Sequence, residues 1–238
     1  YKILTMDSQM VVGIDVGGQT SKIGVVDARG NVLAQTVIRT DTYSDVAPYI
    51  AELAEAVKKV IKEAGAEGKV RGIGVGAPNG NYYTGTIENA PNLVWGRQRV
   101  EFAKLLSEAM GGLPVALTND ANAAAVGEMT YGAARGMKNF IMITLGTGVG
   151  SGIVINGEVV YGHDGFAGEL GHTAAVRNNG RTCGCGKTGC LETYASATGV
   201  ARTAREWLEL SDEPSLLRGL DSIASKDVYE AAKEGDKL

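Results

Sequence analysis

Two short runs of small residues, each fenced by apolar stretches, most constrain what this chain can fold into. The first is Asp15-Val16-Gly17-Gly18-Gln19-Thr20, entered from Val11, Val12 and Ile14 and followed by a second apolar run from Ile23 to Val26. The other is Gly146-Thr147-Gly148-Val149-Gly150-Ser151-Gly152, entered from Ile141 to Leu145 and left through Ile153, Val154 and Ile155. Each reads as strand, tight glycine turn, strand, and each leads to a further turn, Arg29-Gly30-Asn31 in one case and Asn156-Gly157 in the other. A repeat separated by about 130 residues predicts two related α/β halves. Each half would present a hairpin whose free backbone N–H groups suit an anion the size of a phosphate.

The segments between the two runs support an α/β reading. A third strand follows through Val32, Leu33 and Val37. Ser44 and Asp45 then open a helix whose apolar positions Ile50, Leu53, Val57, Val60 and Ile61 keep a helical period to about Gly65, with Pro48 in the tolerant first turn. Val70 to Val75 returns as a buried strand, and strand, helix, strand at this spacing predicts a mostly parallel sheet. Residues 76–96 are rich in Gly, Pro and Asn and read as a long loop of the kind that carries function. Helices are expected around Phe102 to Met110, over 121–134, over Thr193 to Leu210 and over Lys226 to Gly235. Residues 1–10 lack an initiator methionine and show little pattern, as a trimmed start would.

Between the strand Val115 to Thr118 and the alanine-rich helix stand Asn119 and Asp120. A carboxylate at a strand end beside a helix N-terminus lies where open α/β sheets bind ligands. The same two residues would also serve as an ordinary N-cap.

All three cysteines, Cys183, Cys185 and Cys190, fall within one short stretch, and His172, one of only two histidines, precedes them. Three thiolates and an imidazole make the donor set of a closed tetrahedral zinc site, and glycines at 184, 186 and 189 let so short a loop fold around one ion. A disulfide would leave one cysteine unpaired, and nothing near the visible start resembles a signal peptide. A closed site offers no open position for water, so its role is structural. The carboxylates beside it, Glu169 and Glu192, are the candidates for chemistry.

Composition excludes some partners. With 23 basic and 27 acidic residues the formal charge is −4, which offers no general case for nucleic acid or a charged membrane surface. No apolar run approaches the roughly 20 residues of a membrane span. Clustered free thiols point to a reducing cytoplasm. Glycine, at 34 of 238 residues, is about twice its usual share, and without a collagen-like period or serine-rich linkers the excess belongs to turns of close backbone approach.

Taken together, DVGGQT at 15–20, GAPN at 76–79, NAPNLVWG at 89–96, NDANAAAVGE at 119–128, LGTGVGSG at 145–152, GELGH at 168–172 and CGCGKTGCLE at 183–192 resemble, in order, the motifs of the ROK family. The resemblance is to its glucokinase-like sugar kinases. It implies two related ribonuclease-H-like domains of the actin and hexokinase type around a cleft: a smaller one over 1–118, and a larger one over 119–238 that contains the zinc loop 168–192. It implies transfer of a phosphoryl group from Mg·ATP to a sugar, most commonly glucose at its 6-hydroxyl.

By that resemblance Asp120 is the general base, and Asn119, Glu169, His172 and Glu192 contact the sugar with it, while Asn79 and Asn92 line the sugar pocket. Asp15 orients Mg²⁺ through water. Gly17, Gly18, Gln19 and Thr20, with Gly146, Thr147, Gly148 and Gly150, form the nucleotide turns. Gln19 departs from the family pattern, where threonine is usual, which shifts a phosphate contact to Thr20 or to backbone. The chain also stops at Asp236-Lys237-Leu238, short of the family's final segment, so the second domain reads as incomplete. Family members form dimers or tetramers. Alternatives within the resemblance are a sugar-binding regulator without kinase activity and a kinase for an N-acetylhexosamine or fructose. Only fourteen residues precede Asp15, against the winged-helix segment expected ahead of it in a repressor.

Overall fold

The computed structural model describes residues 9–237. Readings that concern residues 1–8 and Leu238 lie outside the described residues. The chain divides into two compact units, one reaching to Phe140 and including Ile153–Ala167, the other made of Ile141–Gly152 and the chain from Gly168 onward.

In the first unit, β1 (Met10–Val16), β2 (Thr20–Asp27) and β3 (Val32–Arg39) form an antiparallel meander. Helix α1 (Val46–Glu63) then returns the chain to β4 (Val70–Ala77), which lies parallel to β1. Helix α2 (Phe102–Ala109) leads to β7 (Val115–Asn119), parallel to β4, and the finished sheet has the order β3-β2-β1-β4-β7. Asp45 caps α1 as its composition predicts, its carboxylate accepting from Ala47 N at 3.1 Å.

Strand period decides what each face does. Val12, Ile14 and Val16 are buried and join Tyr49, Leu53, Val57, Phe102 and Leu106 in one core. Tyr49 brings a hydroxyl into this cluster, and that hydroxyl lies 2.7 Å from Ser21 Oγ, itself 2.7 Å from Thr40 Oγ1. That chain of hydroxyls ties α1 to β2 and to the end of β3, and burial pushes the Tyr49 phenol up to about 12. On the opposite face Gly24, Gly13, Gly74 and Ala116 sit in register across four strands, leaving a shallow apolar cavity of about 540 Å³ that runs to Asp15, Tyr82 and Tyr161.

The segment 76–96 is more ordered than its composition predicts. It holds a small hairpin, β5 (Gly80–Asn81) with β6 (Thr86–Ile87), and a 3₁₀ turn at Val94–Arg97. Trp95 from that turn stacks on Tyr49 with ring centres 4.8 Å apart, so the far end of the segment is core. Buried Asn81 shapes the near end, accepting from Tyr83 N at 3.0 Å and donating to Asp164 O at 2.8 Å.

Helix α3 runs Asp120–Tyr131 and stops short of the expected 134. Glu128 explains the stop, since its carboxylate takes the N–H of Ala133 at 2.7 Å while Gly132 turns to an extended conformation. The strands β8 (Phe140–Leu145), β9 (Val149–Ile155) and β10 (Glu158–Val159) form a three-stranded sheet in the order β10-β9-β8.

In the second unit the helix expected from Thr193 to Leu210 is two pieces, α4 (Glu192–Ala195) and α5 (Ala197–Leu210), broken where Ser196 caps α5 by accepting from Gly199 N at 3.0 Å. Helix α6 follows at Ser225–Lys233. No helix among the described residues is long and apolar enough to cross a membrane.

Candidate functional site

Nine of the residues singled out by sequence lie in the first unit. Gly17, Gly18 and Gln19 form the turn between β1 and β2, closed by Gly17 N donating to Thr20 O at 3.0 Å. Asp15, the last exposed residue of β1, stands at its root. Gln19 is exposed, and its carbonyl accepts from Thr40 N at 2.9 Å, so here its backbone braces the turn.

Asn119 and Asp120 occupy the junction of β7 and α3, where chain direction and the N-cap are set together. Asn119 Oδ1 and Asp120 Oδ1 both accept from Ala121 N, at 2.9 and 2.8 Å. Asp120 is exposed at the surface, but partial desolvation of its carboxyl by the surrounding chain is the main cause that raises its pKa; the Ala121 hydrogen bond opposes the rise and the charge of Asp15 adds to it. A carboxylate made more basic by its surroundings suits proton abstraction.

Asn79 and Asn92 serve the loop in different ways. The Asn79 amide donates to Glu88 O at 2.9 Å and to Asn89 O at 3.1 Å, so it clamps the loop from within. Asn92 is exposed, and its backbone lies against Gly18: a methyl group at Gly18 would stand 2.8 Å from Asn92 O.

The remaining candidates lie in the second unit. His172 and Cys183, Cys185 and Cys190 bring one ligand atom each to within 4.8 Å of one another. Cys183 Sγ is 3.6 Å from His172 Nδ1, and Cys185 Sγ is 3.7 Å from Cys190 Sγ. A tetrahedron with Zn–S of about 2.3 Å and Zn–N of about 2.0–2.1 Å has edges of about 3.8 Å between sulfurs and about 3.6 Å between sulfur and nitrogen, so donor types and spacing both fit zinc. The sulfur separation is far too long for a disulfide, and all three cysteines are free. With Nδ1 turned to the cysteines, His172 Nε2 faces Glu169, 3.9 Å from its Oε2.

Glu192 opens α4 two residues after the last cysteine, and its Oε2 accepts from Val149 N at 3.0 Å. Val149 ends the turn Gly146-Thr147-Gly148, which is closed by Gly146 N donating to Gly148 O at 3.0 Å. That turn is held from α5 as well, by Ala197 N to Gly146 O at 2.8 Å and Thr198 Oγ1 to Thr147 O at 3.0 Å. Gly150 lies within β9, next to buried Ser151. Ser151 Oγ donates to Gly168 O and accepts from Leu170 N at 3.2 Å, which stitches the Glu169–His172 segment to the strand.

Several supporting residues escape a sequence reading. Arg181 donates to Thr193 O at 2.7 Å and to Glu206 at 2.5 Å, and its guanidinium lies 4.5 Å over the Tyr194 ring, so the cysteine loop is bolted to α4 and α5. Val149, Ser151, Ala197 and Thr198 act through backbone or through partners 17 to 51 residues away, and no local pattern marks them.

The model of the ROK family matches residues 11–238. The chain is 42% identical over 236 residues to a glucokinase of Halalkalibacterium halodurans, covering 97% of this chain and 71% of that one. It is similar to the crystal structure of a ROK family glucokinase from Streptomyces griseus in complex with glucose and AMPPNP, with a TM-score of 0.75 and 35% identity over 95% of this chain and 72% of that chain. It is also similar to a ROK family transcriptional regulator, a homolog of the E. coli MLC protein, with a TM-score of 0.85 and 28% identity, covering 97% of this chain and 57% of that one.

Proposed function

We propose, on the premise that this chain belongs to the ROK family, that it is a glucokinase-like sugar kinase transferring the γ-phosphoryl group of Mg·ATP to the 6-hydroxyl of glucose. The observation that carries the reading is Asp120: a carboxylate fixed at a strand-to-helix junction, with its pKa raised by partial desolvation and by Asp15, in a chain 42% identical to a glucokinase.

In this reading Asp120 takes the hydroxyl proton as the oxygen attacks phosphorus. Glu169, His172 and Glu192 hold other hydroxyls of the sugar, with Asn119 and Asn92 beside Asp120, and Asn79 keeps its loop in shape. Paired polar contacts of this kind discriminate strongly, because an analogue lacking one hydroxyl strands a buried partner. Gly17 to Thr20 and Gly146 to Gly150 offer backbone N–H groups to the phosphates, and Asp15 orients hydrated Mg²⁺, which neutralises the charge on the transferring group. Zinc on His172, Cys183, Cys185 and Cys190 is structural: it fixes the imidazole and the segment that carries Glu192. A cluster of cysteines held reduced for metal suits a reducing compartment, which supports a cytoplasmic location.

The similarity to a transcriptional regulator favours one second reading, a sugar-binding protein without turnover. A phosphorylation screen with Mg·ATP across glucose, fructose, N-acetylglucosamine and N-acetylmannosamine separates the two. Turnover on glucose is the expected result. Binding of glucose with no phosphate transfer to any of the four would establish the regulator reading instead.

A further inference from the structure

In both glycine turns the same kind of approach recurs. A methyl group at Gly18 would meet the carbonyl oxygen of Asn92 at 2.8 Å, and one at Gly148 would collide with Glu192 Oε2. Neither glycine is among those with positive φ, so turn geometry does not demand glycine at either place. At Gly18 a backbone carbonyl demands it, while at Gly148 the neighbour is a side-chain carboxylate that a methyl group would displace. In each unit the segment suited to phosphate is therefore packed directly against a residue assigned to the sugar.

The contact in the second unit is the stronger, because it is also a hydrogen bond. Glu192 Oε2 accepts from Val149 N at 3.0 Å, and Oε1 points toward Cys183 Sγ at 3.9 Å. Val149 is held on its other side by Gly171, whose missing side chain lets the Glu169–His172 segment lie on the Val149 carbonyl. One residue, Val149, thus joins the glycine turn, the cysteine loop and the GELGH segment through its N–H and its carbonyl.

We propose that Glu192 is a positioning residue for the nucleotide as well as a sugar contact, so that glucose and nucleotide bind with positive coupling transmitted through the Val149 peptide. A sugar hydroxyl on the carboxylate immobilises a side chain that already anchors the turn, and the ordering cost is met once for both ligands. By linkage the nucleotide must then tighten glucose by the same factor. The inference rests on the sugar-kinase reading above.

The test is calorimetric titration of Mg·AMPPNP with and without saturating glucose, and of glucose alone, on the intact chain and on Gly148→Ala, Glu192→Gln and Glu192→Ala. On the parent, glucose is expected to tighten the analogue by about fivefold or more. Gly148→Ala, a change in the nucleotide turn, is expected to weaken glucose as well as the analogue, because its methyl group displaces the Glu192 carboxylate. The same change should add nothing to the analogue's loss in the Glu192→Ala background, since contacting residues are not additive. Glu192→Gln, which keeps an acceptor for Val149 N–H, should retain most of the sugar-free analogue affinity.

Zinc content and melting temperature equal to the parent's confirm that each variant is folded; if Glu192→Ala fails this check, Gly148→Ala and Glu192→Gln decide. Gly148→Ala that weakens the analogue and leaves glucose untouched overturns the coupling and leaves the kinase reading standing. Glu192→Ala that changes neither ligand removes Glu192 from the sugar site and takes the inference with it.

Discussion

His172 turns Nδ1 toward Cys183 Sγ, 3.6 Å away, and so presents Nε2 to Glu169. One imidazole is thereby shared between a set of metal donors and a carboxylate assigned to sugar. Cys185→Ser tests the consequence. Zinc measured by elemental analysis should drop from about one ion per chain to well below it. Glucose affinity measured by calorimetry should weaken by about tenfold or more, in the range found when groups that orient metal-site ligands are lost. Glucose binding that survives loss of the ion would show that the sugar groups do not depend on it.

Replacing the proposed base separates binding from chemistry. Asp120→Asn keeps the shape of the side chain and an acceptor for Ala121 N, so the dissociation constant for glucose should change by no more than about threefold while kcat falls by about a hundredfold or more. Turnover within a few-fold of the parent would remove Asp120 from that role.

The raised pKa of Asp120 also carries a pH signature. A base is lost when protonated, so kcat/KM should decline as pH falls, along a limb that lies above the ordinary aspartate range. Because Asp15 contributes to the rise, Asp15→Asn should lower the Asp120 pKa, read by NMR titration of the ligand-free protein. The stability effect has the opposite sense from a salt bridge. A carboxyl raised in the folded state costs stability above its folded pKa and costs nothing below its unfolded one. Asp120→Asn should therefore raise the melting temperature at neutral pH, and that gain should vanish in acid below pH of about 4.

The hydroxyl chain Ser21, Thr40 and Tyr49 gives a prediction remote from the site. Tyr49→Phe leaves Ser21 and Thr40 bonded to each other at 2.7 Å and the ring stacked on Trp95, so denaturant unfolding should register a loss of only about 1 kcal/mol. Tyr49→Ala also deletes the ring and should cost about 3–5 kcal/mol.

How much of this was legible in advance depends on how local the signal is. The glycine turns, the Asp45 cap and the periodic face of α1 are written in neighbouring residues, and each is present where its pattern places it. His172 and the three cysteines share a short stretch with a chemistry of their own, and the structure gathers them into a set that could hold a metal ion. The break at Ser196 was hidden because serine caps and helix interiors look alike until Gly199 N is seen to bind Ser196 Oγ. The β5–β6 hairpin was hidden for a different reason: Asn81 is defined by Asp164, 83 residues away, and a sequence window does not span that distance. The two compact units interleave in sequence, with Gly152 in one and Ile153 in the other, so no single cut could describe them. Gly18 was read as a turn former, whereas the backbone carbonyl of Asn92 is what excludes a side chain there.

The alternation of β1 has a consequence for how this protein can change. Val12, Ile14 and Val16 face the core while Asp15, between the last two, faces away, paired in register with Lys22 and Gly76. Loss or gain of one codon between Met10 and Ile14 would swing the aspartate into the hydrocarbon around Tyr49 and turn the valine to water in the same stroke. Lineages and laboratory libraries can therefore exchange residues in the opening strand but not change its length.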